Sequence, residues 1–234
     1  MARCPVHRPR LIIACPAKHS RLITYLCNSN YIFMALLVLV RHGQSSWNLE
    51  NRFTGEEDVP LTALGQDEAS AAGQKLKGKH FSQGFTSVLQ RAVDTMTLLL
   101  EAAGCPELPV IRNRALNERN YGSLQGLNKA ETAQKFGEEQ VAIWRRSYTV
   151  RPPGGESLAD TYARVVPYYQ QAIEPLLKKG EDILIVAHGN SLRALIKFLE
   201  NISEENISHF DLPTGKPRAY ELDEQLWIVR VGYL

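Results

Sequence analysis

The chain is short of cysteine, of long apolar runs and of any excess of one charge, and each shortage removes a class of protein. Four cysteines occur in 234 residues. Cys4, Cys15 and Cys27 precede Met34, and Cys105 is alone in the rest. Such wide spacing, without paired histidines, excludes a zinc site or a disulfide framework and places the body among proteins of a reducing compartment, so a cytoplasmic location is expected. No apolar stretch reaches the roughly 20 residues a membrane helix needs, because charge interrupts every candidate. A net charge of +2 on 22% charged residues leaves no electrostatic footprint for nucleic acid. Internal repeats and low-complexity segments are also missing.

What remains is a chain with 44% hydrophobic residues, long enough for one sizeable domain with a full core. Charge is spread unevenly. Arg3, Arg8, Arg10, Lys18 and Arg21 stand before Met34 with no acid among them, so the remainder is mildly acidic. This basic leader, residues 1–33, has three readings: an organellar transit peptide, a poor signal peptide, or a consequence of start-codon choice. Pro5, Pro9 and Pro16 damage an amphipathic helix, and no uninterrupted apolar core of a signal is present. The third reading is preferred, with Met34 as the start and 34–234 as a single domain.

Apolar periodicity predicts alternating strands and helices. Leu36–Val40 is a β-branched run of the kind found in buried parallel strands. Leu49–Pro60 is an ordered loop, and a helix from Thr62 to about Lys77 follows, with Leu64, Ala69, Ala72 and Leu76 on its apolar face. Phe81–Phe85 is a weak strand. Thr86-Ser87 fits an N-cap before a helix carrying Val88, Leu89, Ala92, Met96, Leu99 and Leu100, closed by Gly104 and Pro106. Pro109–Ile111 is a short strand. Helices are then predicted from Asn128, which has capping-box spacing to Glu131, through Phe136; over Glu138–Ser147; and from the cap Ser157 onward, where Pro167 and Pro175 predict a kink or break. Ile183–Ala187 is the strongest strand, followed by helices Ser191–Glu200 and Ser203–His209 and a hairpin of Ala219–Leu222 with Leu226–Val231. The pattern implies an α/β fold with a mostly parallel sheet covered on both faces.

Two of these strands end alike. Leu36–Val40 runs into Arg41-His42-Gly43-Gln44-Ser45-Ser46-Trp47-Asn48, and Ile183–Ala187 into His188-Gly189-Asn190-Ser191. A lone histidine after a strand is usually structural; two beside glycines at strand ends point to a shared site. Phosphoryl transfer needs a nucleophile, cations for the phosphate oxygens and a proton-transfer group. His42 is the candidate nucleophile, and Arg41, Arg91 and His188 are the candidate cations. Arginine suits the task through its planar fork. Gly43 and Gly189 are expected to let backbone approach the anion, and Glu118 is the best-placed acid.

The ordered set Arg41-His42-Gly43 through Asn48, Phe53-Thr54-Gly55, Thr86-Ser87-x-Leu-x-Arg91-Ala92, Leu116-Asn-Glu118-Arg119-x-Tyr121-Gly122, Leu124-Gln-Gly-Leu-Asn-Lys129, Trp144-Arg145-Arg146-Ser147-Tyr148 and Ala187-His188-Gly189-Asn190-Ser191-Leu192-Arg193 resembles the cofactor-dependent phosphoglycerate mutases of the histidine phosphatase superfamily. The resemblance covers residues 35 to 222. It implies a three-layer α/β/α fold and a phosphohistidine on His42. It further implies that Arg41, Arg91, His188 and Asn48 hold the phosphate and that Glu118 is general acid and base. Thr54, Gly55, Arg119, Tyr121, Lys129, Arg145, Arg146, Gly189 and Asn190 would bind the rest of an anionic phosphoglycerate. The implied activity is interconversion of 2- and 3-phosphoglycerate in glycolysis and gluconeogenesis, primed by 2,3-bisphosphoglycerate and without a metal. Expected partners are small phosphoglycerates, with no nucleic acid or membrane; a homo-oligomer is compatible with the sequence.

Alternatives on the same residues are a bisphosphoglycerate synthase/phosphatase, a small-molecule phosphatase, or a catalytically silent scaffold. Read alone, Arg145-Arg146 is a solvated helix end, Asn48 and Thr54 are loop caps, and Trp47 and Trp144 are packing residues. His80 and His209 are expected at the surface. The chain departs from the family at Glu56, where an aromatic is usual, at Ser46, and at Pro153–Glu156, where an insertion is absent. Glu56 either weakens anion binding or faces outward.

Overall fold

The computed structural model describes residues 35–234, so the expected leader lies outside the described residues. Six strands form one sheet: β1 (Ala35–Arg41), β2 (Gln83–Thr86), β3 (Val110–Arg112), β4 (Ile183–Ala187), β5 (Arg218–Leu222) and β6 (Ile228–Tyr233). Their order is β3-β2-β4-β1-β5-β6. The first four strands in that order pair in parallel, and β5 runs opposite to both its neighbours, β1 and β6, so the sheet is mostly parallel. Parallel neighbours bring β1 and β4 side by side, with Arg41 opposite Ala187. Both histidine-bearing strand ends therefore open at the carboxyl end of the sheet, where α/β proteins build their sites.

Side-chain alternation explains the layers. Leu37, Leu39, Ile183, Ile185 and Ala187 face one core, shared with Leu158, Val165, Tyr169, Leu192 and Leu195. Val38, Val40, Leu184 and Val186 face the other, shared with Ala72, Leu76, Met96, Leu99 and Leu100. Helices α2 (Ala63–Leu76) and α3 (Gln90–Ala103) cover the second face. On the first lie α6 (Leu158–Tyr168) and α8 (Gly189–Leu199). Short helices α1 (Ser46–Leu49), α4 (Lys129–Phe136) and α5 (Glu138–Arg146) form a separate excursion over the sheet edge. A satellite core of Phe53, Leu124 and Val141 fixes α5 beside the site loops.

Several elements differ from their expected form. Leu64 is exposed; the contact face of α2 is made instead by small residues, because α3 comes so close that a Cβ on Gly73 would sit 2.2 Å from Leu99 O. Thr86 belongs to β2 and Leu89 is the N-cap of α3, so Thr86-Ser87 does not cap that helix. Helix α8 begins at Gly189, two residues early, with His188 at its N-cap. The proline-bearing run does depart from α geometry between its two prolines, as expected: α6 passes through a π-helical turn, Tyr169–Ile173, into α7 (Glu174–Leu177). Pro175 lies in the first turn of α7, where a missing N–H is tolerated. Ser203 caps α9 (Glu204–His209), and His80 and His209 are exposed as expected.

Candidate active site

At the end of β1, the His42 backbone N–H donates to Ala187 O at 2.9 Å, extending the ladder one residue beyond the strand. The buried ring places Nδ1 2.7 Å from Gly43 O. A carbonyl only accepts, so Nδ1 carries the proton and Nε2 keeps its lone pair. Burial first, then the charges of Arg91 and Arg41, hold the His42 pKa well below the ordinary histidine value. The ring is neutral at physiological pH and nucleophilic. Gly43 has a different task from the one expected. A Cβ there would lie 2.1 Å from Gly65 O, so this glycine packs the site loop on α2 rather than lying against an anion.

His188 lies 5.0 Å from His42, centroid to centroid. Its Nε2 is 2.7 Å from Ser87 Oγ, which also accepts from the Leu89 N–H at 3.2 Å. The hydroxyl keeps one proton and one lone pair beyond that bond, so it pairs with Nε2 in either tautomer of the imidazole. Nδ1 is buried with no protein partner. Burial, followed by Arg91, His42 and Arg41, lowers the His188 pKa well below normal. His188 is thus neutral and not the cation the sequence suggested: two rings and two guanidiniums crowd together, and protonating either ring adds charge where cations already stand.

Arg41 Nη1 donates to Leu212 O at 2.8 Å. Arg91, in the first turn of α3, donates from Nη1 to Glu57 O and from Nη2 to Gly55 O, both at 2.7 Å. Burial lowers its pKa to about 10, which leaves it charged at pH 7. In both arginines Nε is buried without a protein acceptor. Loop carbonyls thus orient the Arg91 fork instead of leaving both its arms to an anion. Glu118 is fixed from two sides: its Oε1 accepts from the Arg119 N–H at 2.8 Å and from the Asn190 N–H, in the first turn of α8, at 3.0 Å. Behind it, Arg164 of α6 donates to Ala115 O, Asn117 O and Glu118 O. Arg164 is held by Glu156 at 3.0 Å, so the short Pro153–Glu156 join helps position the acid.

These groups open into one cavity of about 250 Å³, lined by Arg41, His42, Asn48, Thr54, Gly55, Arg91, Glu118, Tyr121, Lys129, Arg145, Arg146, Gly189 and Asn190 among the sequence candidates. Lys129, at the start of α4, and Arg145 and Arg146, at the end of α5, form a second cationic cluster in it. Asn48 Oδ1 also accepts from the Ser45 N–H at 3.1 Å, closing the cap of α1, so its cap and cavity positions coexist. Two candidates do not line the cavity. His188 is buried beside His42, and Arg119 is fully buried, donating to Trp144 O and Arg145 O while stacking 4.5 Å over Tyr121. Arg119 supports the cavity wall.

The lining also includes Arg52, Phe53, Arg193 and Asp211, which sequence reasoning did not select. Arg193 had a signal, as a charge three residues after Asn190 amid the apolar residues Leu192, Ala194, Leu195 and Ile196 of α8. Arg52 and Asp211 had none. Glu56 faces away from the cavity, its carboxylate bridging Asn117 Nδ2 at 2.9 Å and Asn120 Nδ2 at 3.0 Å. Among the described residues, no group of three or more His, Cys, Asp or Glu side chains is placed to hold a metal.

A neutral buried imidazole with an open Nε2, cations around it and a fixed carboxylate opposite define a phosphohistidine-type site on an α/β sheet. The model of the histidine phosphatase superfamily, branch 1, matches residues 37–232, and the chain belongs to that superfamily. The 2,3-bisphosphoglycerate-dependent phosphoglycerate mutase of Cytophaga hutchinsonii is 58% identical over 201 residues, 86% of this chain and 94% of that one. The enzyme of the same name from Methylocella silvestris is 59% identical over 189 residues, covering 80% and 92%. Among solved structures, mycobacterial hydrolase 1 superposes with a TM-score of 0.73 at 29% identity, covering 86% of this chain and 97% of that one. The mycobacterial glucosyl-3-phosphoglycerate phosphatase superposes with a TM-score of 0.71 at 29% identity, with the same coverage.

Proposed function

We propose that this protein interconverts 2-phosphoglycerate and 3-phosphoglycerate through a phosphohistidine on His42. The carrying observation is the pairing, in one cavity, of His42 and its arginines with the separate cluster Lys129, Arg145 and Arg146. A phosphoglycerate has a phosphate and a carboxylate, and this site offers a cationic subsite for each. The names of relatives 58–59% identical support the same reading.

His42 Nε2 attacks phosphorus; the new N–P bond forms as the O–P bond breaks, and Glu118 protonates the leaving oxygen. In the return step the N–P pair goes back to Nε2, an acceptor hydroxyl bonds to phosphorus, and its proton passes to Glu118. Such proton transfer is worth roughly 10²- to 10⁴-fold. Arg41 and Arg91 hold the phosphoryl oxygens with Asn48 beside them, and His188, 5.0 Å from His42 ring to ring, reaches them through its unpartnered Nδ1, taken here as the protonated nitrogen. Thr54, Gly55, Tyr121, Lys129, Arg145, Arg146, Gly189 and Asn190 bind the glycerate end, with Arg119 behind them. 2,3-Bisphosphoglycerate, when bound, supplies the phosphoryl group that loads His42. The residues fit a doubly anionic molecule, since buried Nε atoms of Arg41 and Arg91 and Nδ1 of His188 have no protein acceptor. The protein's remaining task is to exclude water, which would turn transfer into hydrolysis. Phosphoglycerates are its partners, without nucleic acid or membrane, and it works in the cytoplasm. Among the described residues no helix is long and apolar enough to cross a membrane.

A phosphatase is the second reading, favoured by the phosphatase name of a structural neighbour. Isomerisation and phosphate release, assayed side by side with and without bisphosphoglycerate, decide between them. Isomerisation that depends on bisphosphoglycerate and outruns release is expected; release outrunning isomerisation overturns the mutase. An acid-labile, base-stable label from radiolabelled bisphosphoglycerate, lost in His42→Ala, is expected, and its absence would favour a silent scaffold.

A further inference from the structure

Arg193 is a buried cation that the reaction above leaves without a task. It is 4% exposed, lies on the inner side of α8 and reaches the cavity. Among the described residues it forms no ion pair. Its Nη1 donates to Asn190 Oδ1 at 3.0 Å and its Nη2 to Ile207 O. Burial lowers its pKa to about 10, so it remains charged at pH 7.

Hydrogen-bond polarity follows from the donor inventory. A guanidinium only donates, so Asn190 turns its carbonyl oxygen toward Arg193. The planar amide then aims Nδ2 at the Tyr121 hydroxyl, 3.3 Å away. An amide nitrogen also only donates, so the phenol oxygen accepts there. Arg119, stacked 4.5 Å over the ring, is a second neighbour with donors alone. The single phenol proton has no acceptor on either side, and the open direction is the cavity that Tyr121 lines.

We propose that Arg193 is a positioning residue that sets the direction of a relay, Arg193 to Asn190 to Tyr121, so that Tyr121 meets the ligand only as a donor. The consequence is specificity. Acceptor oxygens of a phosphate or carboxylate are favoured at that point, and a group that can only donate, such as an ammonium, is rejected. The phosphoglycerate reading enters only through the choice of substrate, since the relay acts on any oxyanion.

The test uses the full chain, with 3-phosphoglycerate binding by calorimetry and the KM for 3-phosphoglycerate as readouts. Asn190→Asp is nearly isosteric and reverses the relay: it still accepts from Arg193 but now accepts from Tyr121 as well. It is expected to weaken 3-phosphoglycerate binding about tenfold, as befits a hydrogen bond to a charged group, and to add less than about twofold in a Tyr121→Phe background. Arg193→Gln, which no longer dictates the amide orientation, is expected to raise KM with kcat held within about threefold, and Arg193→Lys to restore it. A full Asn190→Asp loss persisting in the Tyr121→Phe background assigns the effect to added charge and overturns the relay. Failure of Arg193→Lys to rescue, or equal losses in KM and kcat, also overturns it. Absence of isomerisation with these binding results intact removes the mutase reading and leaves the relay standing.

Discussion

The chain turns away from His42 into a loop after β1, but after β4 it turns directly into a helix with His188 at its cap. Both turns read as apolar strand, histidine, glycine. In the first, the imidazole anchors to the neighbouring carbonyl of Gly43 and leaves Nε2 open. In the second, Nε2 is taken by Ser87, and Nδ1 is buried without a protein partner. The glycines diverge as well: Gly43 is a packing contact with α2, whereas Gly189 opens α8 where backbone N–H groups meet Glu118. Identical local patterns become a nucleophile in one place and an electrostatic support in the other because their through-space partners differ.

The sharpest way to break this comparison is His42→Ala, which is expected to reduce turnover to background and abolish phosphoryl labelling; retained labelling would move the nucleophile elsewhere. His188→Ala is expected to retain labelling but slow transfer about 10²- to 10³-fold, the usual cost of losing one donor to developing charge. Single-turnover kinetics measure this, and a rate matching His42→Ala would erase the distinction. Ser87→Ala removes the hydrogen-bond partner of His188 Nε2 and should slow the same step about tenfold, within the range for a neutral hydrogen bond.

Two smaller effects concern stability. Gly43→Ala forces a Cβ against Gly65 backbone and is expected to cost about 1–3 kcal/mol by chemical denaturation, whereas Gly189→Ala, whose Cβ would meet ordinary contacts at 3.5 Å or more, should cost less. Both histidines have lowered folded-state pKa values. As pH falls below about 6.5 the unfolded chain takes up protons that the folded chain refuses, so stability falls with acidification, by up to about 1.4 kcal/mol per pH unit for each ring. Above that value neither contributes a slope. Urea melts between pH 5 and 8 measure this, and a flat profile below pH 6 would show that the rings are not held neutral.

Much of this was legible along the chain. The runs Leu36–Val40 and Ile183–Ala187 could only be buried strands, and the caps at Asn128, Ser157 and Ser203 marked helix starts that the structure keeps within about two residues. Local signals failed where tertiary contact replaced them. Leu64 looked like a core residue by periodicity, yet α2 packs through glycine and alanine because α3 lies so near. Thr86-Ser87 looked like a cap and instead supplied a strand end and the partner of His188. Arg164 and Asp211 carried no signal at all, since their importance comes from segments distant in sequence.

Residue order alone determined the alternation of strands and helices, the placing of two histidines at strand ends, and the set of cations and one carboxylate suited to phosphoryl chemistry. Only the tertiary structure decided how those groups are charged and aimed. Ser87 and His188 are 101 residues apart, and Glu118 and the Asn190 N–H are 72 apart. Desolvation and the fields of neighbouring guanidiniums act through space, so the neutrality of both rings, the withdrawal of Arg119 behind the cavity wall and the relay from Arg193 to Tyr121 arise only once the sheet brings these segments together.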